Sequence, residues 1–471
     1  MESRSKYLIK NVGILTISNF ASKILVFLLV PLYTSILSTE DVGVFDLIVS
    51  TVSLLVPIFT VNIVDAVMRF SMDNTKSKEE VAVIGIRFVF YSVIAATLCV
   101  LIINRIGIFK QIEGLEILIV IYFISYVLNN FMIQFSKGLE RIGDMGIAGV
   151  IGTIAVIGTN ILFLIVLRLG LRGFFIANIL GQAIPALYLI IRVKLWNYIK
   201  ILKVNKTLQK EMLLYCSPLI ATTIGWWVNN ASDKYVVTLM CGIGANGILS
   251  VSYKIPQVIN TLHGIFTQAW QISAIKEYNS DDSSVFYGRS FSILNVLLAA
   301  ACSWLIILSK PLAHILYQKD FYVAWQYVPF LLISCVLNSA SGFCGSILSA
   351  KKDSKSMALS AVYGSVANII MNIGLIYLIG MQGATIATAI SSFIIYSLRK
   401  HAVSNSIKVD KYYIILSTWL LLCVQSIIEI YFSLWWAEII LMIIMFIMNW
   451  SSIKMLLQVG NKIIKRKAIN Q

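Results

Sequence analysis

The sequence predicts an all-α polytopic membrane protein with about fourteen transmembrane helices. The first observation is composition: 58% of the 471 residues are hydrophobic and only 13% are charged, whereas roughly a quarter of residues are charged in soluble domains. The mean hydropathy is +0.84. The second observation is spacing, because long apolar runs with short polar connections fill almost the whole chain. The third is the one-sided distribution of positive charge. No room is left for a soluble catalytic domain.

The predicted spans follow the apolar runs in chain order. They lie at 12–36, 42–68, 80–104, 115–136, 146–167, 173–194, 212–240, 246–273, 286–308, 325–349, 357–379, 383–398, 412–432 and 435–457. The first run is too long for the apolar core of a signal peptide and has no small-residue cleavage site, so it is predicted to be a span.

The grouping of these spans predicts four parts. An N-terminal six-helix lobe at 1–195 is followed by a basic cytoplasmic linker at 196–211 and a C-terminal six-helix lobe at 212–400. Residues 401–471 are predicted to add two transmembrane helices and a basic cytoplasmic tail.

Positive charge is concentrated on one side of the predicted topology. Of the 38 Lys and Arg residues, 28 fall on the connections of one side, 6 on the other, and four within spans. The positive-inside rule therefore predicts a bacterial cytoplasmic (inner) membrane protein with both termini cytoplasmic. The same rule accounts for the net charge of +16 without a nucleic-acid partner. The seven cysteines show no CxxC spacing and are predicted to be buried hydrophobes, not disulfides or metal ligands.

The two groups of six spans share a spaced pattern. Gly170 and Gly173 lead into the sixth span as Gly380 and Gly383 lead into the twelfth. Because each group has an even number of spans, both run in the same orientation. This predicts a parallel repeat about a pseudo-two-fold axis along the membrane normal, an arrangement of transporters whose substrate site lies between two halves. Chance similarity between glycine-rich apolar loops is the alternative.

Four basic residues lie within predicted spans, where an ionised side chain costs about 2.5 to 3.5 kcal/mol at the centre. They are Lys23, Lys254, Lys234 and Arg87. A water-filled cationic cavity that binds an anionic substrate would offset this cost. The alternative is that the long side chains reach the interface, and for Arg87 this is equally favoured.

Polar residues recur at helical spacing in the same spans and are predicted to line the cavity. They are Asn19, Asn62, Asn229, Asn230, Gln257, Asn260 and Gln271. Amide groups can bond sugar hydroxyls, but they also commonly join helices within membranes.

Three titratable residues are candidates for ion coupling: Asp233, His263 and Asp65. Each has a structural alternative. Asp65 is expected to pair with Arg69 one turn later, Asp233 could pair with Lys254, and His263 could be a neutral core residue. The chain carries none of the HExxH, GxxxxGK[ST] or GxSxG motifs, so we predict no catalytic residues, no metal, no cofactor and no enzymatic activity.

Two segments resemble the signatures of bacterial polysaccharide flippases of the O-antigen or capsule type. They are residues 31–45 (PLYTSILSTEDVGVF) and residues 232–235 (SDKY) with 247–256 (GILSVSYKIP). Through that family the chain resembles the multidrug, oligosaccharidyl-lipid and polysaccharide exporter superfamily. Lys234 stands where family members often have Arg, and a Lys does not bind phosphate in the same two-point fashion.

The resemblance implies two six-helix lobes around a central cavity. It implies a flippase that moves undecaprenyl-diphosphate-linked oligosaccharides from the inner to the outer leaflet by alternating access. The implied partners are this substrate, membrane lipid and a polysaccharide polymerase with chain-length proteins, and the implied state is a monomer.

Other functions are weighed against this one. A multidrug or peptidoglycan-precursor exporter of the same superfamily is the nearest alternative, although a cation exporter would need acidic rather than basic residues at its core. A membrane polysaccharide polymerase would carry a long extracytoplasmic loop, and the predicted outer connections are short. A structural scaffold would not explain charge within the spans.

Overall fold

The computed structural model describes residues 27–73, 75–106, 113–199, 205–276, 282–409 and 411–458. Every regular element in those residues is a helix. The chain divides into two compact units, Met1–Ala231 and Ser232–Gln471. The division falls within one long helix, after the linker predicted at 196–211, and the four predicted parts of the chain stay predictions.

In its described residues, the first unit contains seven α-helices and the beginning of an eighth. They are α1 Val30–Ile36, α2 Thr39–Phe59, α3 Ile63–Ser71, α4 Lys78–Ile106, α5 Glu116–Gly138, α6 Ile142–Asn160, α7 Gly170–Val193 and α8 Lys206–Cys241. Helix α6 continues into a π-helical segment, Ile161–Val166. Helix α7 packs against both α5 and α6, and α3 packs against α4 and α5.

The second unit contains the end of α8 and the remaining helices. They are α9 Ile243–Ser252, α10 Gln257–Lys276, α11 Ser283–Ile307, α12 Ser309–Leu316, α13 Val328–Ala350, α14 Ser354–Ile379, α15 Gln382–Ala402, α16 Tyr412–Tyr431, α17 Trp435–Met448 and α18 Trp450–Gln458. Helix α13 is central, because it packs against α10, α11, α15 and α16. Its small residues, such as Cys335, Ala340 and Gly345, permit this close approach, as small residues do between helices in membranes.

Within the described ranges, nine helical stretches are long and apolar enough to cross a membrane, and a tenth is counted when the bent pair α17 and α18 forms one span. The other helices are shorter or more polar. Every predicted span after the first overlaps a described helix, and most of the first, 12–36, lies outside the described residues. The prediction of an all-α protein with about fourteen spans is confirmed, and the chain is an integral membrane protein.

Three predicted spans are each broken into two helices: 42–68, 246–273 and 435–457, the last at the bend between α17 and α18. In the first, Val61 and Asn62 both adopt φ of 54° between α2 and α3. Asn tolerates this left-handed conformation, which ends the helix. In the second, the break lies at residues 253–256 and ends at Pro256, whose ring cannot continue a helical hydrogen-bond ladder. A broken span frees backbone groups in the membrane, and the Asn62 carbonyl is satisfied by the Cys216 thiol at 3.3 Å.

The first glycine of each pair in the sequence pattern has a positive φ in both units. Gly170, at the start of α7, and Gly380, before α15, adopt φ values of 55° and 65°. A Cβ on Gly173 would lie 3.0 Å from Phe163, in the preceding helical segment. A Cβ on Gly383 would lie 2.3 Å from the backbone of Leu375 in α14. In each unit, one glycine therefore makes the turn and the next lets the two helices pack closely.

Asp353 caps α14 and provides a test of local stability. Its carboxylate accepts bonds from the Ser356 amide at 3.0 Å and the Ser356 hydroxyl at 2.8 Å. These bonds hold the pKa of Asp353 below its ordinary value. We expect Asp353→Ala to lower the Tm of the purified protein by about 2 °C, because helix caps stabilise exposed termini modestly. Asp353→Asn, which can still cap, is the control.

The pH dependence of this cap has a defined sign. Because the pKa of Asp353 is lower in the folded than in the unfolded state, its stabilisation is present above the unfolded value and is lost as pH falls through the folded value. The Tm difference between the wild type and Asp353→Ala should therefore shrink in acid. An equal difference at neutral and strongly acidic pH would contradict this.

Candidate functional site

A buried carboxylate in the second unit is the centre of the candidate site. Asp233, on α8, is only 4% exposed. The Tyr253 hydroxyl, just after α9, donates a hydrogen bond to it. The Lys234 amide donates to its other oxygen at 2.9 Å. Tyr253 also packs against a hydrophobic cluster that includes Ala384 of α15. The break after α9 thus places a hydroxyl donor against the carboxylate of α8.

A network of amides and hydroxyls begins at the residue before Asp233. The Ser232 hydroxyl donates to the Asn368 side-chain oxygen at 3.1 Å. The Asn368 amide nitrogen donates to the Ser391 hydroxyl at 3.1 Å, and the Asn372 amide nitrogen donates to the Asn368 oxygen at 2.9 Å. The buried Asn372 oxygen has no hydrogen-bond partner among the described residues. We call Ser232, Asp233, Tyr253, Asn368 and Asn372 the Asp233 cluster.

The Asp233 cluster offers oxygen atoms of three kinds: carboxylate, amide and hydroxyl. Hard cations prefer oxygen ligands, and a carboxylate can also take a proton. Sequence reasoning selected Asp233 but missed Asn368 and Ser391. A usable signal was present, since Asn368 and Asn372 are one helical turn apart in an apolar span and so share a face.

Two of the predicted cationic residues belong to the same region. Lys234 and Lys254 directly follow the two residues joined by the Asp233–Tyr253 hydrogen bond. Both lysines are half-buried, and Lys254 lies in the break between α9 and α10. Each makes a further polar or electrostatic interaction. The predicted pairing of Asp233 with Lys254 stays a prediction.

The predicted polar stripe of α10 is exposed in part. Gln257, Asn260 and Gln271 are exposed, as is Asn230 on α8. Apolar residues of α10, Val258 and Leu262, are also exposed, so this surface is not purely polar. Its assignment to a substrate passage stays a prediction.

His263 is packed within the second unit. The half-buried ring has its Nε2 atom 3.1 Å from the Thr267 hydroxyl. The ring also lies against Gly342 of α13, where an added Cβ would be 3.0 Å from Nε2. These contacts suit a core histidine, which was the structural alternative, and its role in ion coupling stays a prediction.

The first unit has its own carboxylate cluster around Asp65 of α3. One Asp65 oxygen accepts from the Asn62 amide at 2.9 Å, and the other accepts from the Gln134 amide of α5 at 3.1 Å. The expected ion pair with Arg69 is wrong: in the part of the chain that the structure describes, these two side chains form no salt bridge, and Arg69 is exposed. Each oxygen of the Asp65 carboxylate therefore accepts a hydrogen bond from an amide side chain of the protein.

Arg87, on α4, does not join either cluster. It is exposed, donates through Nε to the Tyr91 hydroxyl at 2.7 Å, and its guanidinium lies 5.4 Å from the centre of the Tyr91 ring. The neighbouring Phe90 is also exposed. This environment fits the snorkelling alternative, and a role in the cavity stays a prediction. Lys23 and Asn19 lie outside the described residues, as does the side chain of Asn229.

Comparison with known proteins supplies the family. Residues 8–271, more than half of the chain, match the family model described as polysaccharide biosynthesis protein. The chain belongs to this family. The match includes Asp65 and Asp233 and ends within α10. A comparison with curated protein sequences found no match.

Solved structures of membrane transporters share the fold. An inward closed conformation of the lipid II flippase MurJ superposes with a TM-score of 0.68 at 15% identity, covering 93% of this chain and 98% of that chain. An inward-facing multidrug resistance MATE family transporter of the MOP superfamily gives 0.62 at 15% identity, covering 83% and 95%. A MOP superfamily transporter from Pyrococcus furiosus gives 0.60 at 14% identity, covering 84% and 96%. The chain therefore shares the fold of these transporters, which is the fold that the superfamily resemblance implied.

Proposed function

We propose that this protein is a flippase that moves undecaprenyl-diphosphate-linked oligosaccharide units from the inner to the outer leaflet of a bacterial cytoplasmic membrane. The observation that carries the proposal is family membership: a polysaccharide biosynthesis family model matches a chain that has the fold of membrane exporters. Sugar polymers of the cell surface need building blocks from inside the cell, and a polar saccharide crosses hydrocarbon at high cost.

The cationic residues suit such a cargo. A diphosphate carries negative charge that Lys ammonium groups can neutralise with charge-assisted hydrogen bonds. Lys254 and Lys234 lie beside the Asp233–Tyr253 hydrogen bond, and we assign Lys23 as a third contributor. The amides of Asn230, Gln257 and the other predicted cavity residues would bind sugar hydroxyls.

Asp233 is our candidate for coupling transport to an ion gradient. A cation bound at this acid, whether a proton or sodium, removes one negative charge from the region that holds Lys234 and Lys254. Neutralising the acid strengthens the local positive potential and favours the diphosphate, while release of the cation favours release of the cargo. His263 and Asp65 are secondary candidates.

We also propose an oligomeric state, a membrane orientation and partner proteins. The protein would act as a monomer with both termini cytoplasmic, expose its passage to the two sides alternately, and supply units to a polymerase and its chain-length proteins for O-antigen or capsule assembly. The positive-inside distribution of Lys and Arg supports this orientation.

Lys254→Ala and Lys23→Ala test the proposal in a strain that lacks the gene. We expect each variant to reduce surface polysaccharide by at least about tenfold, the factor that 1.4 kcal/mol represents, because each loses one charge-assisted contact. Lipid-linked oligosaccharide should accumulate, as measured by extraction and mass spectrometry. Lys355→Ala, at an exposed position in the first turn of α14, is the control and should export normally. Normal export by both test variants, at equal membrane levels, would contradict the cationic assignment.

The same strain separates the alternative functions. A peptidoglycan-precursor exporter would accumulate lipid-linked muropeptide instead of oligosaccharide, and a multidrug exporter would change drug sensitivity with neither intermediate rising. Loss of a polymerase would leave single repeat units on the outer surface. Only accumulation of oligosaccharide on the inner leaflet supports the flippase.

A further inference from the structure

A basic cavity lies at one end of the second unit, apart from the Asp233 cluster. Its volume is about 300 Å³, and it is formed where α11 and α16 begin and α17 meets α18. Three cationic residues line it: Arg289, Lys408 and Lys411. The hydroxyl residues Ser292 and Ser452 also line it. Among the described lining residues, none is acidic.

The walls of this cavity are held by close backbone packing. The Lys408 amide donates to the Ser284 carbonyl of α11 at 3.0 Å. The next turn of α11 carries Gly288, where an added Cβ would lie 1.8 Å from the Lys408 carbonyl oxygen. Only a residue without a side chain permits this contact. The backbone of Lys408 is therefore held against α11.

The opposite wall is a bend between α17 and α18, which meet at 64°. The buried Asn449 lies at the bend, and its amide donates to the Thr418 hydroxyl at 2.8 Å and to the Met445 carbonyl at 2.9 Å. These bonds join the bend to α16. The cavity is therefore a built feature of three packed helices and not a gap between loose side chains.

The lining combines the chemistry of phosphate binding with that of lipid contact. Arg and Lys supply charge-assisted bonds to phosphate oxygens, and serine hydroxyls supply further donors. Apolar residues, Ile414, Ile415 and Met448, complete the lining. Exposed apolar side chains continue on the same helices, including Tyr413 and Ile447. An acyl chain needs such a surface, whereas free phosphate does not.

We propose that this cavity binds the phosphate headgroup of an anionic phospholipid of the bilayer. The ends of α11, α16 and α17 that form it lie on the membrane face that the charge distribution predicts to be cytoplasmic. Basic pockets between helices at that level bind anionic headgroups. A bound lipid would fasten the last helices to α11. This site is independent of the cargo assigned above, so either proposal can fail alone.

Binding is tested on the full-length protein purified in neutral detergent. Native mass spectrometry and thermal unfolding are recorded with phosphatidylglycerol, with phosphatidylcholine and with inorganic phosphate. The test variant is Arg289→Gln, Lys408→Gln and Lys411→Gln combined. The control variant is Lys351→Gln, Lys352→Gln and Lys355→Gln combined, which removes the same charge from exposed positions in the connection between α13 and α14 and in the first turn of α14.

We expect phosphatidylglycerol to stabilise the wild type and the control variant, and to bind the test variant roughly tenfold or more weakly. A second variant, Ser452→Trp, fills the cavity without changing charge and should show the same loss. A thermal unfolding transition recorded with phosphatidylcholine shows that each variant is folded before heating. The proposal would be overturned if phosphatidylglycerol binding were weakened equally in the triple test variant and the control variant. It would also be overturned if the triple test variant and Ser452→Trp both bound phosphatidylglycerol as tightly as the wild type. Equal stabilisation by inorganic phosphate would overturn the lipid assignment.

Discussion

Asp233→Asn is expected to stop translocation while leaving the protein folded in the membrane. Asn is nearly isosteric with Asp and can still accept the Tyr253 hydroxyl bond, but it cannot exchange a proton or carry a charge. Loss of an interaction with a charged group costs about 2 to 3 kcal/mol, which corresponds to roughly a hundredfold in rate. The fall in surface polysaccharide should be of that order.

The control for this variant is Asp320→Asn, which makes the same chemical change at an exposed position in the second unit. Protein amount in the membrane and Tm are measured for both. If Asp233→Asn transports at the wild-type rate, coupling through this acid is excluded. If Asp233→Asn lowers the Tm and the amount of protein in the membrane along with transport, and Asp320→Asn does not, the acid is structural.

Asp233 was accessible to sequence reasoning because a carboxylate within an apolar span is costly and therefore conspicuous. The hydrogen-bond network beside it was not, because Asn368, which accepts from Ser232, and Ser391, which accepts from Asn368, come from helices more than a hundred residues later in the chain. The local rule that pairs residues four apart selected Arg69 for Asp65, whereas the structure supplies Gln134 from another helix. Spacing along a helix identifies candidates, but tertiary packing chooses their partners.

The sequence predicts where the spans lie, but it does not predict where a span is broken into two helices. The length of an apolar run determines whether a segment can cross a bilayer. Such runs are found by averaging hydropathy over about 19 residues. An interruption of four residues, such as 253–256, hardly changes that average. Pro256 was the available signal, but prolines are also tolerated in unbroken membrane helices. The break matters for the proposed function because it carries Tyr253 and Lys254.

Gly383→Ala is expected to have the largest effect on stability. The added Cβ would lie 2.3 Å from the carbonyl carbon and oxygen of Leu375, and a backbone cannot yield as a flexible side chain can. Because α14 and α15 pack along each other, moving one helix would disturb the whole pair. Overpacking of a tight core costs typically 1–3 kcal/mol, and we expect at least about 3 kcal/mol here. Tm and yield in the membrane are the measurements.

Gly374→Ala is the matched control, since it lies in α14 and an added Cβ meets nothing within 4 Å. That variant should be stabilised by about 0.5–1 kcal/mol, the usual advantage of Ala over Gly within a helix. Gly173, the counterpart in the first unit, would place its Cβ 3.0 Å from Phe163, so Gly173→Ala should destabilise less than Gly383→Ala. The order follows from the two distances, because the added Cβ lies closer to its neighbour at Gly383 than at Gly173. Equal stability of the Gly383→Ala and Gly374→Ala variants would show that the paired glycines are a sequence similarity without a packing role.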